Sequence, residues 1–428
     1  VVMLGRGAAR RVRHGLGALA VLGLLAGCVG AGPAPTVDRG IQDALDRRAA
    51  AVLAQDVPED DPAAKEFGNL RDVPLGSWSY RVLATQREGA RASVRAEVGY
   101  TIDGYDSGAV TGERVLDLAR RDGTWRVTGD RAAAGAAPRI WEQGRVEVVR
   151  GARSLVLGVG HDPAWLRDVA AVADRAVPAV AEAWPEPWAG RAVVLVPPSL
   201  EGMSALLGEP AASYRGIAAV TTGRVGGGAG DRAGDRADDR AGVSAGEGTG
   251  TSAEGQAGGA AGTPADRVVV NPEAYRTLGD FGQRFVLAHE IVHVATRAHT
   301  SVATPLWLSE GFADRVAYRG TGRTAAEGAP ELGRAVRAGE PPAALPRDAD
   351  FTFGGDAGTV ARAYEGAWLA CELIARRWGE DKLIAFYRAV GVSGAQRAFR
   401  DVLSTTPDDF TRDWREHLRQ ELSSSPSR

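Results

Sequence analysis

The sequence predicts an α+β fold: an N-terminal helix plus an antiparallel, curved sheet, then a second region with a small sheet and a helical C-terminal half. Three observations carry this. Ile41, Ala44, Leu45, Val52 and Leu53 recur at helical spacing over residues 41–56, gathering one apolar face. From Ser77 the period drops to two, as successive strand side chains alternate between faces. Beyond Asp280 helical spacing returns over residues 281–298, 306–318, 358–378, 381–390, 394–403 and 408–421. The chain has 428 residues, 44% of them hydrophobic and 25% charged, which is more than one domain of about 100–150 residues uses. A formal net charge of −3 supplies no positive field for a phosphate backbone, so no nucleic-acid partner is expected. The only cysteines are Cys28 and Cys371, too few for a disulfide scaffold, so the fold must rest on packing and a possible metal.

Arg6, Arg10, Arg11 and Arg13 precede a small, apolar run over residues 15–27, the charged and apolar regions of a secretory signal. The run is too short to span a bilayer. It ends Leu25-Ala26-Gly27-Cys28, which resembles the lipobox of bacterial lipoproteins. That resemblance implies that residues 1–27 are removed and that Cys28 carries the lipid, holding the protein on the extracytoplasmic face of the cell membrane. An ordinary cleaved signal with an incidental cysteine is the alternative. Residues 28–37, rich in Gly, Pro and Ala, form a tether.

A first domain is expected over residues 38–131. After its helix, alternation at Trp78, Tyr80 and Val82, at Val94, Ala96 and Val98, at Val115, Leu116 and Leu118, and at Trp125 and Val127 predicts antiparallel strands. Asp122-Gly123 tolerates positive φ and marks a hairpin. This order of elements and the Asp-Gly-x-Trp-Arg-Val run resemble the cone-shaped NTF2-like superfamily. Residues 132–137 read as a linker to a second domain over residues 143–422. There, strands are expected at 146–149, 155–157, 191–196, 217–222 and 267–270, with a long helix over 163–184 opened by Pro163. Residues 224–265 are Gly-, Ala-, Asp- and Arg-rich and include AGDRAGDRADDRAG. They cannot bury enough surface to offset ordering entropy, and are expected to be a disordered insertion.

Chemistry is concentrated in one helical run, which contains His289-Glu290-Ile291-Val292-His293. Residues i and i+4 differ by about 40° around a helix, so both imidazoles leave one face and can share an ion. Glu290 is one step round and can serve as a general base without ligating. With six histidines in the chain, chance matches to this pattern number on the order of 0.005. Glu310 follows His293 by seventeen positions, within Trp307-Leu308-Ser309-Glu310-Gly311-Phe312-Ala313-Asp314. A carboxylate from a following helix would complete three ligands and leave a position open. Asp314, four residues on, shares that face and could accept the free N–H of a ligating histidine. The alternative reading of Glu310 and Asp314 is first-turn acids favoured by the helix dipole.

These motifs resemble the gluzincin clan of zinc metallopeptidases, most closely the peptidase MA-like group. The resemblance spans residues 143–419 and is most specific over 267–318. It implies one Zn2+ per chain on His289, His293 and Glu310, with Glu290 as base and a peptide or protein as substrate. It also implies an edge strand beside the site helix, for which residues 267–272 are the candidate; a plain sheet strand is the other reading. Ala363-Tyr364-Glu365-Gly366-Ala367 is similar to the Tyr-x-x-Gly-Ala segment of gluzincin aminopeptidases, whose Tyr steadies the oxyanion. Simple packing of Tyr364 is the alternative. The G-x-M-E-N run that captures a free amino terminus is not in this sequence, which points to endopeptidase action. Two rivals stand beside a peptidase: a non-catalytic peptide- or ligand-binding lipoprotein with a retired peptidase domain, and a structural zinc site. The remaining His161, His299, His417 and Cys371 read as structural, His299 as a favourable charge at the site helix's end.

Overall fold

The structure, a computed structural model, describes residues 38–222, 266–352 and 356–423. The expected signal peptide, the tether with Cys28, and the polar insertion lie outside the described residues. The fold is mixed α+β, with a four-stranded antiparallel sheet, a five-stranded mixed sheet and a helical C-terminal half.

Helix α1 (Arg39–Ala54) opens at Asp38, whose carboxylate accepts the Gly40 N–H and satisfies one free donor of the first turn. A short α2 (Ala64–Asn69) follows; six residues are too few to display a period, and the sequence did not announce it. Strands β1 (Leu75–Glu88), β2 (Arg91–Ile102), β3 (Val110–Arg121) and β4 (Thr124–Ala132) pair in sequence order. The β3–β4 turn is Asp122-Gly123, with φ of 49° and 80°, the left-handed pair of a type I′ hairpin. Ile41, Leu45 and Val52 of α1 pack with Trp78, Val94, Val98 and Leu116 in one core.

The second sheet contains β5 (Val146–Arg150), β6 (Ser154–Val159), β7 (Ala192–Val196), β8 (Ala219–Thr222) and β9 (Arg267–Val270), in the order β5-β6-β7-β9-β8. Strands β6, β7 and β9 are parallel, and β5 and β8 run antiparallel at the edges. Parallel strands need a long crossover, which α3 (Pro163–Ala183) supplies between β6 and β7. Such strands are buried on both faces, and here the faces divide cleanly. Val156, Val194, Val196, Val268 and Val270 join the helical core. Leu155, Leu157 and Val193 join the core of the first sheet, together with Trp141. Polar contacts tie the same layers. Arg267 makes two 2.7 Å bonds to Asp106 in the β2–β3 loop, and the Tyr105 hydroxyl donates to Ser154 O at 3.1 Å.

The strand expected at the edge is not there. β9, carrying residues 267–270, lies between β7 and β8, with Val268, Val269 and Val270 at most 1% exposed. The edge strand on the side of α6 is β8, whose Thr221 and Thr222 are only partly covered. Spatial order differs from chain order, so adjacency to the site helix along the sequence was a poor guide.

After α4 (Leu200–Leu207), the helical half comprises α5 (Pro272–Thr277), α6 (Asp280–Thr296), α7 (Leu306–Tyr318), α8 (Ala325–Gly328), α9 (Pro330–Arg337), α10 (Ala357–Trp378), α11 (Glu380–Ser393), α12 (Ala395–Leu403) and α13 (Pro407–Leu422). Among the described residues no helix is long and apolar enough to cross a membrane. Helix α6 lies against α3 and α7, and α7 lies against α10. The last approach is closest at Gly311, where a Cβ would run into the Ala367 carbonyl on α10. This explains the Gly immediately after Glu310: it lets α10 bring Tyr364 beside α6. Gly311→Ala is expected to lower stability by about 1–3 kcal/mol, the usual range for forcing volume into a packed core. Thermal unfolding measures it, and an unchanged midpoint would show that the helices can separate freely.

Candidate metal centre

Helix α6 runs through the interior because its flanks are apolar: Phe285, Val286, Leu287, Ile291 and Val292 are all buried in the helical core. The same helix carries His289, 3% exposed, and Glu290, 7% exposed. A 3-10 turn, Arg297–His299, ends it and starts the loop to α7, which brings Glu310 back opposite the two imidazoles. His289 Nε2 lies 3.1 Å from His293 Nε2 and 3.2 Å from Glu310 Oε2, and His293 Nε2 lies 3.5 Å from that oxygen. Three donor atoms from two helices therefore converge on one point, and together they could hold a metal ion.

Asp314 Oδ1 is 2.8 Å from His289 Nδ1. A carboxylate at this separation accepts the Nδ1–H, so that the neutral ring a metal requires has its lone pair on Nε2, facing the other donors. Burial opposes a positive charge on His289, but the hydrogen bonds it donates to Asp314 and Glu310 outweigh it and push its pKa up to about 10. Burial likewise opposes charge on Glu310, and the imidazoles of His293 and His289 hold its carboxyl well below the ordinary range. The site thus favours positive charge at its centre, as a metal-binding site must. Asp314→Asn keeps the shape but weakens this arrangement. Metal affinity is expected to fall about 10- to 100-fold, read by competition with a chromophoric chelator.

Tyr364 on α10 is 8% exposed, with its ring centroid 6.4 Å from that of His289. Burial first, then the negative charges of Glu310, Asp314 and Glu290, raise its pKa well above that of an ordinary tyrosine. It is therefore an O–H donor throughout the physiological range. Tyr364 and Asp314 also line a cleft of ≈ 460 Å³ whose walls include Phe281, Phe285, Tyr318 and Trp368.

One participant was missed by sequence reasoning. The hydroxyl of Thr221, on β8, lies 2.7 Å from Glu290 Oε2. The two residues are 69 positions apart and meet only because β8 takes the sheet edge. No spacing rule could pair them. Phe285, one turn before His289 and packed against it at 6.3 Å, was visible only as an apolar helix position. His161 and His299 make structural contacts away from the donor group. His161 Nε2 is 2.8 Å from the Pro197 carbonyl, and the His299 ring packs edge-on to Trp184. His299 does not supply the expected charge, because burial and then Arg388 lower its pKa. Cys371 is fully buried with its Sγ 3.8 Å from the Leu308 carbonyl.

No protein-family model matches this chain, and no curated protein matches it. The class it defines is accordingly the one its own fold and site describe: an α+β protein with a His-His-Glu group suited to a metal ion.

Proposed function

We propose that the protein is a zinc-dependent metalloendopeptidase of gluzincin type, held at the extracytoplasmic face of the membrane through Cys28. The observation that carries the reading is the donor geometry. Ligands at 2.0–2.1 Å around a tetrahedral ion are separated by about 3.3–3.4 Å, and the three donor pairs here span 3.1 to 3.5 Å. Two imidazole nitrogens and one carboxylate oxygen are also a donor set that zinc favours, and a three-ligand set leaves a corner for chemistry, whereas structural sites usually close all four.

Zinc bound there would act as a Lewis acid, polarising a substrate carbonyl and lowering the pKa of water towards about 7. The chain's own residues supply the remaining steps. Glu290 takes the proton from the attacking water and delivers it to the leaving amine. Tyr364 donates its O–H towards the oxygen on which charge develops. Asp314 keeps His289 in its ligating tautomer. The outer edge of β8 offers backbone N–H and C=O groups to an extended peptide, and the aromatic cleft takes a neighbouring side chain.

The test is metal analysis of the full-length protein in detergent combined with cleavage of a peptide library. One zinc per chain and internal cuts are expected. Bound zinc with no turnover over a broad library would replace this reading with the non-catalytic binding lipoprotein.

A further inference from the structure

The edge strand β8 reaches the base through a single side chain. The Thr221 hydroxyl lies 2.7 Å from Oε2 and 2.9 Å from the backbone O of Glu290. It has one hydrogen to give. The Glu290 carbonyl is already in the α6 ladder, whereas its carboxylate is charged, so the stronger bond goes to Oε2. We infer that Thr221 is a positioning residue for Glu290, fixing Oε2 so that Oε1 is the oxygen presented to the reacting proton; this rests on the peptidase reading above.

The need for such an anchor is conformational. Glu310 and Asp314 are engaged with the histidines. Among the described residues, Glu290 makes its side-chain hydrogen bond to Thr221 and is in no ion pair. A glutamate has several rotatable bonds, and without that hydrogen bond it would sample rotamers that carry it out of the site or onto the ion. Thr221 is a stiff anchor. Its β-branched side chain restricts χ1, and its strand is held in register by pairing of Val220 with Val269 and of Thr221 with Val268. The end of that ladder is clamped twice. Arg267 is bound by Asp106 of the first sheet's loop, and Asp266 pairs at 3.1 Å with Arg297 just beyond α6. The position of the hydroxyl is thus set by the sheet.

The experiment compares wild type, Thr221→Val and Thr221→Ser, each checked for folding by thermal unfolding and for zinc content. In Thr221→Val, kcat is expected to fall roughly 10- to 100-fold with KM within about threefold and one zinc still bound, as expected for misplacing a catalytic group. Thr221→Ser, which restores the hydroxyl, should stay within about threefold of wild type in kcat. Crystal structures of the metal-free proteins give a second reading: a single Glu290 rotamer in wild type and Thr221→Ser, and several in Thr221→Val. A kcat within twofold of wild type in Thr221→Val, an unmoved Glu290, or a kcat loss that tracks loss of zinc or of folding would overturn the inference alone. A wild type that binds zinc and cleaves nothing would remove the peptidase reading, and this inference with it.

Discussion

Glu290→Gln is expected to reduce turnover by about 10²- to 10⁴-fold while leaving zinc content at one per chain, the contribution a positioned general base usually makes. The substitution is nearly isosteric, and the amide can still take the Thr221 hydrogen bond on its oxygen, so the fold has little reason to change. What it cannot do is accept a proton. The expected loss corresponds to about 2.7–5.5 kcal/mol of transition-state stabilisation. Single-turnover assays with equal zinc loading measure it. Wild-type-like turnover in this variant would remove Glu290 from the mechanism; loss of zinc would mean instead that Glu290 supports the metal.

Glu310→Ala is expected to lose both zinc and activity. The carboxylate is the only acidic member of the donor set and comes from a different helix, so without it the two imidazoles of α6 are left as a weak two-point site. Binding to the folded state alone stabilises by an amount that grows with ligand concentration, about 4.1 kcal/mol at a thousand times Kd. The melting temperature of wild type should therefore climb with added zinc and drop with chelator, reversibly. That of Glu310→Ala should respond to neither. A variant that kept stoichiometric zinc would show that Glu310 is not a ligand, and the assignment of the centre would have to be rebuilt around other residues.

The histidine pair was legible because it obeys a local rule: residues four apart on one helix share a face whatever surrounds them. The helices were legible for the same reason, and α7, Leu306–Tyr318, begins and ends where its apolar spacing does. Glu310 was reachable by its place in a recognisable run and because two histidines on one helix call for a third ligand from elsewhere to hold a metal ion. Asp314 followed from the i+4 rule applied once more, and the structure places it 2.8 Å from His289. Short elements such as α2 and α5 escaped because six residues hold too little periodic signal.

Sheet order had no such local code. The apolar run Arg267–Val270 gave a strand, but whether it lay inside or at the edge depended on β8 arriving from the other side of a long insertion. The same is true of the shared core between the two sheets, where Leu155 and Val193 face one layer and Val156 and Val194 the other. The sequence alone thus determined the α+β class and the residues of the His-His-Glu group, since residue type and helical spacing are properties of a single segment. The tertiary structure alone decided that Thr221 meets Glu290, that Gly311 admits α10, and that β8 is the open edge. Each of these is a contact between distant segments, fixed by how buried surfaces fit together rather than by the pattern within either one.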